Sequence, residues 1–210
     1  MFQLSLTNII ICITCYIIGS IPFGLLIGIF NNRKINLLGS KNIGASNVTR
    51  ILGFKYGLLT FLLDFLKGFL PVFIFKNSKL NLNFPQEKTI ILGICAILGH
   101  MFSIFNRFKG GKAIATSVGV VAGINFWSGF FGIIIFIFLV KITGYASLSS
   151  LIATIITNIN LYITNQNTYN SIAMAIITIL IFIKHKKNII QLYSGTENKF
   201  NIKHKKINFN

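Results

Sequence analysis

The segment Phe108-Lys109-Gly110-Gly111-Lys112-Ala113-Ile114-Ala115-Thr116 places two lysines around a glycine pair, between long apolar runs. Adjacent glycines let backbone N–H groups approach an anion without side-chain obstruction. Lys109 and Lys112 supply cationic donors. The apolar run that follows can open a helix whose N-terminus favours negative charge. A phosphate-sized anion held at a membrane surface is the chemistry these residues suit. The same residues also suit a tight cationic loop that only fixes topology.

Two further polar clusters carry similar chemistry. Residues 39–50, Gly-Ser-Lys-Asn-Ile-Gly-Ala-Ser-Asn-Val-Thr-Arg, combine hydroxyls, amides, glycines and two cations. Ser40 and Asn47 can donate to phosphate oxygens, and Arg50 can hold two of them with its planar fork. A solvated loop capping the next helix is the alternative for this stretch. Residues 184–197 begin Lys-His-Lys-Lys-Asn and end Gly-Thr-Glu. His185 and Asn188 are three apart and share a face if the segment is helical. One can carry or orient a proton and the other can fix a hydroxyl or phosphate, whereas the lysines alone read as a run that binds anionic lipid. His100 reads as a hydrogen-bonded structural residue at the end of its apolar run. Asp64 and Lys67, also three apart, lie inside an apolar run, where a mutual ion pair that locks packing is favoured over Asp64 orienting a site cation.

These clusters must be positioned by membrane-spanning helices. The 210 residues are 53% hydrophobic with 21 Phe, and the mean hydropathy is +0.73, too apolar for a soluble domain of this length. Apolar runs place helices at about 5–30, 56–75, 89–105, 113–125, 127–142, 146–163 and 170–184, judged against a crossing length of about 20 residues. Gly19, Pro22, Gly24 and Gly28 predict a kinked, closely packed first span. The fold expected is an all-α integral membrane protein of about seven transmembrane helices. The number falls to five or six if the fourth and fifth runs form a re-entrant hairpin.

Charge orients this arrangement. There are only three acids, Asp64, Glu87 and Glu197, against 20 Lys and Arg, for a net charge of +17. The cations crowd into the loops at 31–55 and 106–112 and the tail at 184–210, with Lys141 in the remaining inner turn. Residues 1–30 and 164–169 carry no charge, and the 76–88 loop is mixed. The positive-inside rule then puts the N-terminus outside and the C-terminus in the cytoplasm. All three polar clusters fall on the cytoplasmic side, as one composite site requires. The basic balance fits membrane topology and an anionic lipid or substrate better than nucleic acid. No charged signal-peptide start precedes Arg33, so the first span is expected to stay in the mature protein. Cys12, Cys15 and Cys95 read as small core residues, because the Cys-x-x-Cys pair has no further Cys or His beside it in sequence. The whole of 1–210 reads as one polytopic membrane domain, with 184–210 a basic cytoplasmic tail carrying the last motif.

Taken together in order, the strings GSIPFGLLIG at 19–28, GSKNIGASNVTR at 39–50, DFLKG at 64–68, GHMFSIFNRFKGGKAIAT at 99–116, GYASLSS at 144–150 and KHKKNIIQLYSGTE at 184–197 carry a family resemblance. The chain resembles the bacterial acyl-phosphate:glycerol-3-phosphate acyltransferases (PlsY) over almost its whole length. The resemblance implies a seven-span enzyme of the bacterial inner membrane. It would move a fatty acyl group from acyl phosphate to the 1-hydroxyl of glycerol 3-phosphate, as the first step of phospholipid synthesis. By position, Ser40 and Arg50 would hold phosphate, and Gly110, Gly111 and Lys112 would form the glycerol-3-phosphate loop. His185 and Asn188 would line the reaction centre, Ser147 would add a contact to acyl phosphate, and Glu197 would brace the last motif. No metal and no cofactor is implied. The partners implied are the two substrates, membrane lipid, and a link to the enzyme that forms acyl phosphate. The sequence departs from the family pattern at Lys41 and Ala113, where Gly is usual, at Ser103, where Pro is usual, and at Lys184 and Lys186, where Arg is usual.

Acyl phosphate is already activated, so no covalent intermediate is required. The task is to hold two anions together and withdraw charge from the carbonyl and the leaving phosphate. The acceptor proton can go to His185 or to the donor phosphate. Neither a His-x4-Asp device nor a Gly-x-Ser-x-Gly elbow is present. A small-anion transporter and a lipid-recruiting scaffold are the rival classes.

Overall fold

The computed structural model describes residues 5–77, 89–164 and 167–200. Glu87, most of the 76–88 loop, and the tail beyond Phe200 lie outside the described residues. The first expected span is two helices, α1 (Leu6–Ser20) and α2 (Phe23–Phe30). They part at Ile21-Pro22, where proline disfavours helical backbone in the residue before it. The Ser5 side chain caps α1 by accepting from Asn8 N. An amphipathic helix that the apolar pattern did not reveal, α3 (Ala45–Leu52), follows and stops at Gly53 with φ 92°. The remaining helices are α4 (Phe54–Asn77), α5 (Ile90–Met101), α6 (Ile114–Ile124), α7 (Phe126–Thr143), α8 (Ala146–Thr164), α9 (Thr168–Lys184) and α10 (Lys186–Tyr193).

Small residues set how the helices pass one another. A Cβ at Gly19 would lie 2.2 Å from Ala96 O, and one at Gly99 2.2 Å from Tyr16 O, so α1 and α5 are in direct backbone contact; Cys12 beside Cys95 and Ser103 Oγ donating to Ser20 O show that they run parallel. α4 and α6 are parallel in the same way, through Gly68 on Thr116, Gly119 on Phe65 and Gly123 on Val72. α4 and α5 are antiparallel, meeting at Asp64–His100 and Val72–Gly93. α7 and α8 are antiparallel, tied by Thr143–Ser149 at one end and Ser128–Thr164 at the other. The buried core runs through the middle of this bundle, from Val72 and Ile97 across Val120 and Leu151 to Met174 and Ile181.

The span lengths differ from expectation in one respect. Leu6–Phe30, Phe54–Asn77, Phe126–Thr143 and Ala146–Thr164 are long and apolar enough to cross a membrane, and α9 with α10 makes a fifth if that pair, bent by 59°, is one span. The expected third and fourth spans are short, 12 residues in α5 and 11 in α6. At 1.5 Å per residue an 11-residue helix covers about 16 Å, roughly half the hydrocarbon thickness. Both short helices are largely buried by their neighbours, so little of their length faces lipid. In contrast α7 buries only Ser128, Gly129 and Gly132 and turns its Phe, Trp and Ile side chains outward.

The cysteines gain a neighbour that the sequence did not show. The helix crossing brings Cys95 of α5 beside Cys12 of α1, one turn from Cys15. Sequence separation concealed this neighbour. All three thiols are free, and among the described residues no group of His, Cys, Asp and Glu is arranged to hold a metal ion.

Candidate active site

Alternating helix directions bring four chain segments to one end of the bundle: 21–53, 102–113, 143–146 and 185–200. Cross-links between them are explicit. Lys184 Nζ donates to Met101 O at 2.8 Å, joining the ends of α9 and α5. Phe200 N donates to Gly144 O at 2.7 Å, joining the last motif to the α7–α8 turn.

A polar chain runs through this end. Ser147 Oγ donates to Glu197 Oε1 at 2.7 Å. Asn188 Nδ2 donates to both oxygens of the same carboxylate, at 2.9 and 3.1 Å. Asn188 Oδ1 accepts from Lys112 Nζ. The amide orientation of Asn188 follows from its partners, since a carboxylate only accepts and an ammonium only donates. Three segments remote in sequence thus meet around one carboxylate, Ser147 and Asn188 directly and Lys112 through Asn188. Ser147, Asn188 and Lys112 are brought together, and Glu197 braces them.

Arg50, on α3, lies near enough for Glu197 to act on its charge. Burial pushes the Arg50 pKa down and the Glu197 carboxylate opposes this. Lys112 is affected more strongly. Burial is the main cause, Glu197 opposes it, and Arg50 and Lys187 add repulsion, so the ammonium is lowered to about 8. Lys187 is a neighbour that sequence reading left inside a generic lysine run. Its place three residues before Ile190 on a short helix carried no signal of its own.

His185 sits between α9 and α10 and is buried. Its Nδ1 lies 2.8 Å from Ile181 O. A carbonyl can only accept, so Nδ1 carries the hydrogen and Nε2 presents a lone pair. Burial, and after it the Lys112 charge, lower the imidazole pKa to about 4, with the Ile181 bond acting the other way. His185 is therefore neutral at pH 7.

Asn47 does not have the role expected of it. It is 1% exposed. Its Nδ2 donates to the carbonyls of Ile35, Leu38 and Asn42, while its Oδ1 accepts from Ser40 N at 2.9 Å and Arg50 Nη1 at 3.3 Å. With both ends engaged it has no capacity left for a phosphate. It folds the 35–42 loop instead, and so places Ser40 and Arg50 next to each other.

The glycine pair also differs from expectation. Gly111 N donates to His100 O at 3.0 Å and Gly110 N to Met101 O at 3.2 Å. Neither amide is left to cradle an anion. Glycine is required here by close approach, because a Cβ at Gly110 would lie 1.9 Å from His100 O. Lys112 is the group the loop offers. The Asp64–Lys67 pair forms as expected, at 2.8 Å, away from the polar chain. Lys41 and Ala113 both have left-handed backbone, φ 60° and 59°, which gives a physical reason for glycine at those positions.

The family model described as glycerol-3-phosphate acyltransferase matches residues 9–195. A protein named glycerol-3-phosphate acyltransferase from Aster yellows witches'-broom phytoplasma is 46% identical, with 90% of this chain and 94% of that one covered. One of the same name from Phytoplasma australiense is 44% identical, covering 88% and 91%. The fold is similar to a crystal structure of PlsY (YgiH), described as an integral membrane glycerol 3-phosphate acyltransferase in its glycerol 3-phosphate form. That structure matches with a TM-score of 0.85 at 36% identity, over 92% of this chain and 95% of the other.

Proposed function

Because the chain belongs to the glycerol-3-phosphate acyltransferase family, we propose that it transfers a fatty acyl group from acyl phosphate to the 1-hydroxyl of glycerol 3-phosphate. The products are 1-acylglycerol 3-phosphate and inorganic phosphate. The observation that supports this reading is the convergence of Lys112 and Arg50, from different segments, at one end of the bundle around a carboxylate already engaged by Ser147 and Asn188. Cations in excess of free carboxylates suit two phosphorylated substrates.

In the reaction the 1-hydroxyl oxygen attacks the acyl carbonyl carbon, and the bond from that carbon to the bridging phosphate oxygen breaks. Lys112 and Arg50 hold phosphate, with Ser40 and Ser147 as further contacts. The Gly110-Gly111 turn sets the reach of Lys112. Neutral His185 accepts the hydroxyl hydrogen at Nε2 and orients it, but at a pKa of about 4 it is a weak resting place for the proton. The leaving phosphate departs with the electron pair of the broken carbon–oxygen bond, is a far stronger base than the imidazole, and takes the proton away.

Among the described residues, α1 and α2 counted as one helix and the apolar helices α4 to α9 make up seven, and they support seven crossings in one polytopic domain. The cationic loops support an outside N-terminus, a cytoplasmic site and tail, and an inner-membrane location. The test is turnover by purified protein in detergent, with glycerol 3-phosphate as acceptor and acyl phosphate, acyl-CoA and acyl-carrier protein supplied separately. Turnover with acyl phosphate alone is expected. Turnover restricted to a thioester donor would reject the donor assignment.

A further inference from the structure

His100 ends α5 and takes no part in the polar chain around Glu197. It is 6% exposed, and Asp64 beside it is 2% exposed. The Asp64 carboxylate lies 2.8 Å from Lys67 Nζ and 3.5 Å from His100 Nδ1. Lys67 donates onward to Ile21 O at 2.9 Å, at the break between α1 and α2. The Asp64–Lys67 ion pair forms without the imidazole, and helix packing alone does not account for a histidine here.

The other ring nitrogen faces the glycine turn. A Cβ at Gly111 would fall 2.3 Å from His100 Nε2, so Gly111 rests directly on the ring. The main chain reinforces this contact through Gly111 N on His100 O and Gly110 N on Met101 O. Upstream, Phe108 N donates to Ser103 O at 2.8 Å and Lys109 N to Asn106 O at 2.9 Å, but the glycine pair itself rests on the end of α5. Arg107, Phe108 and Ala113 all have left-handed backbone, and its two glycines have no side chains. Lys112 follows immediately.

We propose that His100 is a positioning residue for Lys112. With Asp64 beside it, its ring is the floor under the Gly110-Gly111 turn and sets where the Lys112 ammonium sits for glycerol 3-phosphate. This inference rests on reading Lys112 as a phosphate-binding cation.

The test is a double-substitution cycle between His100 and Gly111 in the full chain, assayed with acyl phosphate and glycerol 3-phosphate. His100→Ala removes the floor, and KM for glycerol 3-phosphate rises about tenfold while kcat changes by less than about threefold. Gly111→Ala drives a methyl into the ring and lowers kcat/KM about 100-fold. In the double variant the methyl occupies space the ring has vacated, and kcat/KM recovers about tenfold over Gly111→Ala alone. A histidine that merely stabilised the bundle would give additive losses, and additive losses overturn the proposal. An unchanged KM in His100→Ala also overturns it. If thermal unfolding shows His100→Ala to be unfolded, His100→Gln keeps most of the volume and carries the same KM expectation. Lys112→Ala is assayed alongside. Near-normal turnover there removes the reading of the site, whereas loss in Lys112→Ala with no effect at His100 overturns the positioning role alone.

Discussion

Asn188 gives both of its amide hydrogen bonds to the Glu197 carboxylate, and by doing so turns its oxygen toward Lys112. Glu197 thus acts on Lys112 twice, through its own charge and through the orientation of Asn188. Glu197→Gln keeps the shape and removes the charge that favours protonated Lys112. A fall of about tenfold in kcat/KM at pH 7 is expected, with the alkaline limb of the pH profile moved to lower pH. A limb at its wild-type position would break the link between the two residues.

Lys112 itself should govern the alkaline limb of the wild type. Its pKa is lowered to about 8, so in the free enzyme the charge is present below that value and lost above it. The profile of kcat/KM against pH reports free-enzyme groups. It should therefore decline above about pH 8. Lys112→Arg keeps a charge that does not titrate and should carry its residual activity to higher pH.

Removing either cation should cost activity more than folding. Lys112→Ala and Arg50→Lys are each expected to lower turnover about 100-fold or more, the second because an ammonium cannot reproduce the guanidinium fork. Both proteins should still be recovered from membranes. Near-normal turnover in either would sink the two-cation clamp.

His185 should make the protein acid-sensitive. Its folded pKa is about 4, below its ordinary value of 6.5. Between those values the unfolded chain binds the proton and the folded chain does not, so stability is full above about pH 6.5 and falls as pH drops toward 4. Thermal unfolding in detergent from pH 7 to pH 4 measures this. His185→Gln should flatten the slope.

Lys41 and Ala113 occupy left-handed backbone that costs a residue with a Cβ about 1 kcal/mol. Lys41→Gly and Ala113→Gly should each raise the unfolding midpoint by a few degrees, roughly 2–4 °C for a chain of this size. A lowered midpoint in both would show that the strain is offset by contacts of the side chains.

Much of this was legible in the amino-acid order. Apolar runs separated by cationic loops mark membrane helices because the bilayer admits no unpaired backbone and few charges. Ile21-Pro22 marks the break in the first run because proline acts on its immediate neighbours. The pairing of Asp64 with Lys67 was visible because three residues make one helical turn. What sequence could not supply is everything that depends on contact between distant segments. Asn47 looked like a phosphate ligand until the loop folded back and used its amide, and Gly110 and Gly111 looked like an anion cradle until their N–H groups met the end of α5. Cys95 acquired Cys12 as a neighbour only when helices crossed, and His100 acquired Gly111 only when the loop after α5 folded back on it. Local spacing determines which residues share a helix face. Which of their hydrogen-bonding groups remain free for a substrate is decided by the partners that packing brings in from elsewhere in the chain.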